Sequence, residues 1–190
     1  MREFFKDISL ITIFAFLTAA AAAVKMPFLP YHPITPQIIF VLLSGALLGS
    51  FRGPMSQLLF IAVGLLGAPV FRELAPGYPV PALGASPEFI RIGLKTGWLL
   101  GFVAASYLTG KTLEYAGDFD FWSLVTALAG GLSILYVLGI LFPILVLGAR
   151  MSPTFLGWVW PFLAMDGVKA LLVLVFLVNL KRMNILSLAA

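Results

Sequence analysis

The sequence predicts an all-α integral membrane protein, one transmembrane domain over residues 1–190 with six membrane-spanning helices. Three observations lead there. Only 11% of the 190 residues are charged and 61% are hydrophobic, with a mean hydropathy of +1.06. A soluble domain carries about 25% charged residues, so this chain has too little charge to build a water-facing surface. Second, the charged residues divide the chain into uncharged runs at 8–24, 26–51, 53–71, 96–110 and 121–149, then at 151–165, continuing past two charges to Leu180. About 17–25 helical residues cross a ~30 Å hydrocarbon core. Third, these runs are apolar on every side, without the period-two alternation of barrel strands.

The first span, 8–25, follows Arg2 and Lys6 and is rich in alanine. That pattern also imitates a signal peptide, but we expect a retained helix. The second and third spans, 36–51 and 54–71, are separated by a short break at Arg52; the fourth is expected at 93–110, the fifth at 122–148 and the sixth at 157–181. The connections divide into two kinds. Those at Arg52 and Lys111–Asp120 are short or acidic, whereas those at 26–35 and 72–92 carry Pro27, Pro30, Pro33, Pro76, Pro79, Pro81 and Pro87. Such proline spacing makes extended or turning segments without helix. If the spans alternate, both proline-rich connections lie on one side. They are then either structured loops that enclose a small molecule or mere connections.

Basic residues orient the chain with both termini in the cytoplasm. That arrangement puts Arg2, Lys6, Arg52, Lys111, Lys181 and Arg182 inside and Lys25, Arg72, Arg91, Lys95 and Arg150 outside, with Lys169 inside a span. The positive-inside rule favours it by one residue. Five basic residues on the outer side fit an anionic ligand arriving there, or chance.

Much chemistry is excluded. The chain has no cysteine and one histidine, His32, which removes disulfide scaffolds, thiolate metal sites and cysteine nucleophiles. A net charge of +4 without a dense basic patch excludes a nucleic-acid partner. Gly110-Lys111-Thr112 resembles the end of a phosphate-binding loop, but Ala105 stands where its first glycine belongs and no strand precedes it. No nucleophile elbow, zinc-binding histidine pair or carboxylate cluster is present. We expect no enzyme activity, no metal and no cofactor.

Asp166 and Lys169 interrupt an otherwise apolar span. Each charge costs about 2.5–3.5 kcal/mol at the centre of a membrane helix, and such residues face the bundle interior. Three apart, they share a helix face. With Trp158 and Phe162 they fall within about 80° of arc at ~100° per residue. That stripe reads as the wall of a binding site; the alternative is a self-contained ion pair that eases insertion. Pro161 suits the first position of a helix, which would place Asp166 ~7.5 Å below the helix end. Small residues recur four apart at Ala15, Ala19 and Ala23, at Gly45 and Gly49, and at Gly93, Gly97 and Gly101. Such spacing permits close helix contact in lipid. For the glycines we expect internal packing; on the first span a partner helix competes with it.

Six motifs in order carry a family resemblance. They are Pro33-Ile34-Thr35-Pro36-Gln37; Gly45 to Gly49 with Gly53 and Ser56; Gly67-Ala68-Pro69-Val70-Phe71; Gly97-Trp98-Leu99-Leu100-Gly101-Phe102; Tyr136-Val137-Leu138-Gly139; and Pro161-Phe162 with Asp166, Lys169 and Ala170. Together they resemble the BioY family, the biotin-specific substrate-binding (S) components of energy-coupling factor (ECF) vitamin transporters. The chain departs from it at Arg72 to Glu88, charged and proline-rich where the family is glycine-rich, and at Gly93-Leu94-Lys95-Thr96 before Gly97. The loop over the ligand is therefore its least typical part, and the substrate stays more open than the fold.

The resemblance implies a six-helix S-component bundle in the cell membrane of a prokaryote, binding biotin near the outer face. It implies docking through Ala15, Ala19 and Ala23 onto a transmembrane coupling (T) protein that carries two ATPases, with toppling of the subunit as the proposed mechanism. It also implies site residues. Asp166 accepts from the ureido N–H groups, and Lys169 donates to the ureido carbonyl or the carboxylate. Trp98, Tyr136 and Phe162 form apolar walls, Arg91 or Lys95 takes the carboxylate, and Gln37 closes a hydrogen-bond network. A second reading keeps the machine and changes the ligand to another carboxylate vitamin such as lipoate. A third, of a different class, is a proton-coupled carrier titrating Asp166; the short chain, the lack of an inverted repeat and the neighbouring Lys169 stand against it.

Overall fold

A computed structural model describes residues 2–24, 35–66, 87–147 and 153–183, with side chains at 3–24, 35–66, 96–142, 144–146 and 159–183. Five helices account for nearly all of them: α1 (Arg2–Ala23), α2 (Gln37–Leu65), α3 (Pro87–Ala116), α4 (Phe121–Leu147) and α5 (Pro153–Arg182). No strand occurs among the described residues. Among the described residues, four helices are long and apolar enough to cross a membrane, over Glu3–Ala23, Gln37–Leu65, Phe121–Val146 and Val159–Arg182. The chain is a multi-pass membrane protein.

The expected second and third spans are the two limbs of α2. The break falls at Gly49, with φ 82° and ψ −177°, a left-handed φ that only glycine adopts freely. The turn leaves the first N–H of the second limb without a helical partner. Glu114 of α3 supplies one: its carboxylate accepts from the Ser50 backbone N–H at 2.7 Å and from the Ser50 hydroxyl at 2.7 Å.

Helix α3 lies between α2 and α4, α1 packs on α2, and α5 leans against α2 and α4. Being surrounded by protein explains why α3 is the least apolar helix: Gly97, Gly101, Ser106, Thr109 and Gly110 face neighbouring helices rather than lipid. A side chain at Gly45 would strike the Ser106 carbonyl, and one at Gly110 would stand 2.5 Å from the Gly49 carbonyl carbon. On the other flank, a Cβ at Gly97 would lie 2.8 Å from the Leu138 carbonyl oxygen and one at Gly101 3.0 Å from that of Leu135. These glycines are internal packing devices. Around the contacts lies an apolar core that includes Val41, Leu42, Phe60, Ala105, Leu124, Leu135 and Leu177.

Several expected boundaries move. Helix α1 begins at Arg2 rather than residue 8, α3 begins at Pro87 rather than 93 and ends at Ala116 rather than 110, and α5 begins at Pro153 rather than 157. A helix does not stop where the hydrocarbon does, so uncharged runs mark the membrane rather than the helix. Residues 87–92, expected in a loop, are helical, with Pro87 at the first position, where its missing N–H is harmless. Pro161 lies inside α5 rather than at its start. Asp166 is therefore about 20 Å along α5 from Pro153, not ~7.5 Å from the helix end. The rest of the proline-rich connections, 26–34 and 72–86, lies outside the described residues, as does His32.

The alanine stripe on α1 does not keep one environment. Ala15 is buried in the core, Ala19 is half-buried against it and Ala23 is exposed. Four-residue steps at ~100° each advance the stripe by about 40° per repeat, which turns it from α2 toward the outside.

One end of the bundle is tied by charge. Arg52 pairs with Asp7 at 3.1 Å, Lys111 with Glu114 at 3.5 Å and Lys181 with Asp118 at 3.0 Å. These contacts bring the start of α1, the α2 bend, the α3–α4 turn and the end of α5 to the same end.

Candidate functional site

Away from that charged end, α4 and α5 bury a small ionised group. Asp166 and Lys169 on α5 are 3% and 8% exposed. Lys169 Nζ donates to Asp166 Oδ1 at 2.6 Å, and the Tyr136 hydroxyl, from α4, donates to Asp166 Oδ2 at 2.7 Å. The three-residue spacing on α5 makes the ion pair possible within one helix face. Tyr136 then ties that face to α4. Each carboxylate oxygen thus meets a donor, as a charge removed from water requires.

An aromatic wall continues from Tyr136. Trp98 of α3 meets the tyrosine ring in a T-shaped contact, centroids 5.1 Å apart and planes at 88°, an arrangement that brings a ring edge to a ring face. Phe162, one turn before Asp166 on α5, is half-buried and packs against the core. Helix rise places the site roughly 20–24 Å from the charged end: Trp98 precedes Lys111 by 13 residues, and Tyr136 follows Asp120, as Arg182 follows Asp166, by 16. In a ~30 Å hydrocarbon layer that is the opposite half of the membrane.

The structure therefore joins Asp166, Lys169, Tyr136 and Trp98 directly and sets Phe162 beside them on α5. Gln37 is half-buried at the start of α2 and accepts from the Thr35 hydroxyl at 3.0 Å; no described contact links it to Asp166 or Lys169. The side chains of Arg91, Lys95 and Trp158 lie outside the described residues. No cluster of metal-binding side chains occurs among the described residues.

Sequence reasoning passed over a second buried polar group. Thr18, Ser44, Ser56, Gln57 and Ser106 are all fully buried and meet between α1, both limbs of α2 and α3. The signal was present, as uncharged polar residues inside apolar runs, but without charge they do not stand out.

Comparison with known proteins follows the same line. The model of the BioY family matches residues 2–185. A probable biotin transporter BioY from Lysinibacillus sphaericus is 36% identical over 131 residues, 69% of this chain and 61% of the relative's length. The biotin transporter BioY of Rhodobacter capsulatus is 35% identical over 153 residues, 78% of this chain and 74% of that one. The protein of the same name from Thermotoga maritima is 28% identical over 176 residues, 91% and 94% of the two chains. A crystal structure of the S-component for biotin from an ECF-type ABC transporter superposes with a TM-score of 0.70 at 20% identity, covering 95% of this chain and 93% of that one. At that identity it is the fold that is shared.

Proposed function

The chain belongs to the BioY family, and on that premise we propose that it is the biotin-binding S component of an ECF-type ABC transporter. It is a membrane transport subunit, not an enzyme. The observation that carries the ligand assignment is the buried Asp166–Lys169 pair with Tyr136 on its second oxygen. A pair needed only for insertion has no use for a third partner on another helix and an aromatic wall beside it.

The chemistry matches biotin. Its ureido ring offers two N–H donors and one carbonyl acceptor, its thiophane and valeryl parts are apolar, and its tail is anionic. Asp166 keeps acceptor lone pairs beyond the two bonds it makes, so it receives the ureido N–H groups. Lys169 donates to the ureido carbonyl or to the carboxylate. Trp98, Tyr136 and Phe162 cover the apolar parts. Arg91 or Lys95, on the outer approach, reads the carboxylate, and Gln37 closes the hydrogen-bond network.

The same reading supplies partners and orientation. The energy comes from two ATPases through a transmembrane T protein, which docks along Ala15, Ala19 and Ala23. Ala23 and the outer side of Ala19 form the accessible part of that stripe, while Ala15 holds α1 on α2. Both termini are cytoplasmic, in the cell membrane of a prokaryote. Support comes from the tied end of the bundle, where Lys6, Arg52, Lys111, Lys181 and Arg182 collect.

Equilibrium binding of biotin to the purified, detergent-solubilised protein, with lipoate as competitor, tests the substrate. We expect saturable biotin binding that lipoate does not displace at equal concentration. Binding of lipoate alone would keep the machine and change its cargo. A folded protein that binds neither would overturn the vitamin assignment and return the proton-coupled carrier.

A further inference from the structure

Trp98 reaches the site because position 139 carries no side chain. Tyr136 and Gly139 stand three apart on α4 and so share a face. A Cβ built on Gly139 would lie 2.7 Å from Cδ2 and 2.8 Å from Cε2 and Cε3 of the Trp98 indole. Carbon atoms in contact rest about 3.5–4.0 Å apart, so the two cannot coexist. Near-equal distances to three adjacent ring atoms mean that the indole presents its face to the bare backbone of α4. Held there, it meets Tyr136 ring edge to ring face, and Tyr136 in turn donates to Asp166.

Other close-approach glycines do a different job. Gly45, Gly101 and Gly110 bring backbone to backbone, which is helix packing. Among the described glycines, Gly139 is the one whose added Cβ would have aromatic ring atoms as its three nearest neighbours. Nor has the indole an easy retreat. Its neighbour Gly97 already lies against the Leu138 carbonyl oxygen and Phe142 Cβ, each 2.8 Å from where a Cβ would stand, so α3 is seated on α4 beside it.

We propose that Gly139 is a positioning residue of the binding site: its bare backbone sets the plane of Trp98, and through Tyr136 it sets the aromatic wall beside Asp166. The inference rests on the biotin-binding reading for its ligand, but the seat itself is independent of it.

A double-mutant cycle on the full chain in detergent tests this, using Gly139→Ala, Trp98→Leu and the pair. Biotin affinity is measured for each, with 19F spectra of 5-fluorotryptophan-labelled protein recorded without ligand. Gly139→Ala is expected to weaken biotin about tenfold in the wild-type background and less than about twofold where Trp98 is already Leu. It is also expected to move the Trp98 resonance, identified by its loss in Trp98→Leu, while the other tryptophan signals stay in place. If Gly139→Ala alone fails to fold and the double variant folds, the same conflict is shown. Equal losses in both backgrounds would make Gly139 a packing residue and overturn the proposal, as would an unmoved Trp98 resonance with unchanged affinity. If the wild type does not bind biotin, the ligand reading fails and the resonance alone decides the seat.

Discussion

Gln57 and Asp166 are both buried inside apolar helices, yet the groups around them are built on different lines. Gln57 Nε2 donates to Thr18, Ser44 and Ser56 hydroxyls at 3.4, 3.1 and 3.1 Å. Those hydroxyls spend their own protons on nearby helix carbonyls: Thr18 on Phe14, Ser44 on Val41 and Ser56 on Gly53. All members are neutral, and the Gln57 carbonyl oxygen has no donor among the described residues. Around Asp166 the members are charged or donate to a charge, at 2.6 and 2.7 Å. The neutral group rests on local bonds and fastens helices; taking out one member leaves little unsatisfied. The ionised group is mutually dependent, since each partner justifies the burial of the next. Proteins keep so expensive a group in the membrane where something must be recognised.

The sharpest way to break the comparison is to remove one charge. Lys169→Ala leaves Asp166 buried without its cation, and we expect a loss of about 3–5 kcal/mol in stability, read as a lowered denaturation midpoint, together with loss of biotin binding. Tyr136→Phe comes next. It withdraws one hydrogen bond to a charged acceptor, worth about 1.5–3 kcal/mol, and should weaken biotin by one to two orders of magnitude while the protein remains folded. Gln57→Leu should do far less. Interhelical hydrogen bonds within membranes average about 0.6 kcal/mol, and the substitution also removes an unpartnered acceptor. We expect a stability change of under about 1 kcal/mol in either direction, read from the denaturation midpoint, and unaltered biotin affinity. A large loss of binding in Gln57→Leu would dissolve the distinction between the two groups.

The smallest effect concerns the charged end. Partial burial pushes the Glu114 carboxyl up, but the two bonds from Ser50 and the Lys111 charge outweigh it and hold Glu114 below the ordinary carboxylate range. A group whose folded value is depressed stabilises the fold above its unfolded value and loses that contribution as pH falls through the folded one. Midpoints measured from neutral pH down to about pH 3 should therefore show a modest acid-side decline. Glu114→Gln should flatten it without touching biotin binding.

Asp166 and Lys169 were legible in the sequence because a charge inside an apolar run is conspicuous whatever the fold. Trp98 and Tyr136 came through motif resemblance, and only the packing of α3 on α4 shows that they touch. Gln57 escaped for the opposite reason, its partners being uncharged and scattered over α1 and both limbs of α2 with no shared period. The role of Gly139 was hidden because a glycine shows in a sequence as an absence; what it makes room for lies 41 residues away in Trp98. The helix ends at Arg2 and Pro87 lie beyond the spans the sequence predicts because polar turns outside the hydrocarbon continue the same helix. The α2 bend at Gly49 fell close to the break expected at Arg52, since a glycine with left-handed φ and a charge at the membrane edge serve the same reversal.

The central claim is that the Asp166–Lys169 pair is retained for the ligand and not for the fold. Replacing both by leucine removes the two charges together, so neither is stranded. Biotin binding and thermal midpoint measured on Asp166→Leu/Lys169→Leu decide the point. We expect a folded protein whose midpoint is equal to or above that of the wild type, with no detectable biotin binding. A double variant that binds biotin as the wild type does would contradict the account and leave the pair as a device of insertion alone.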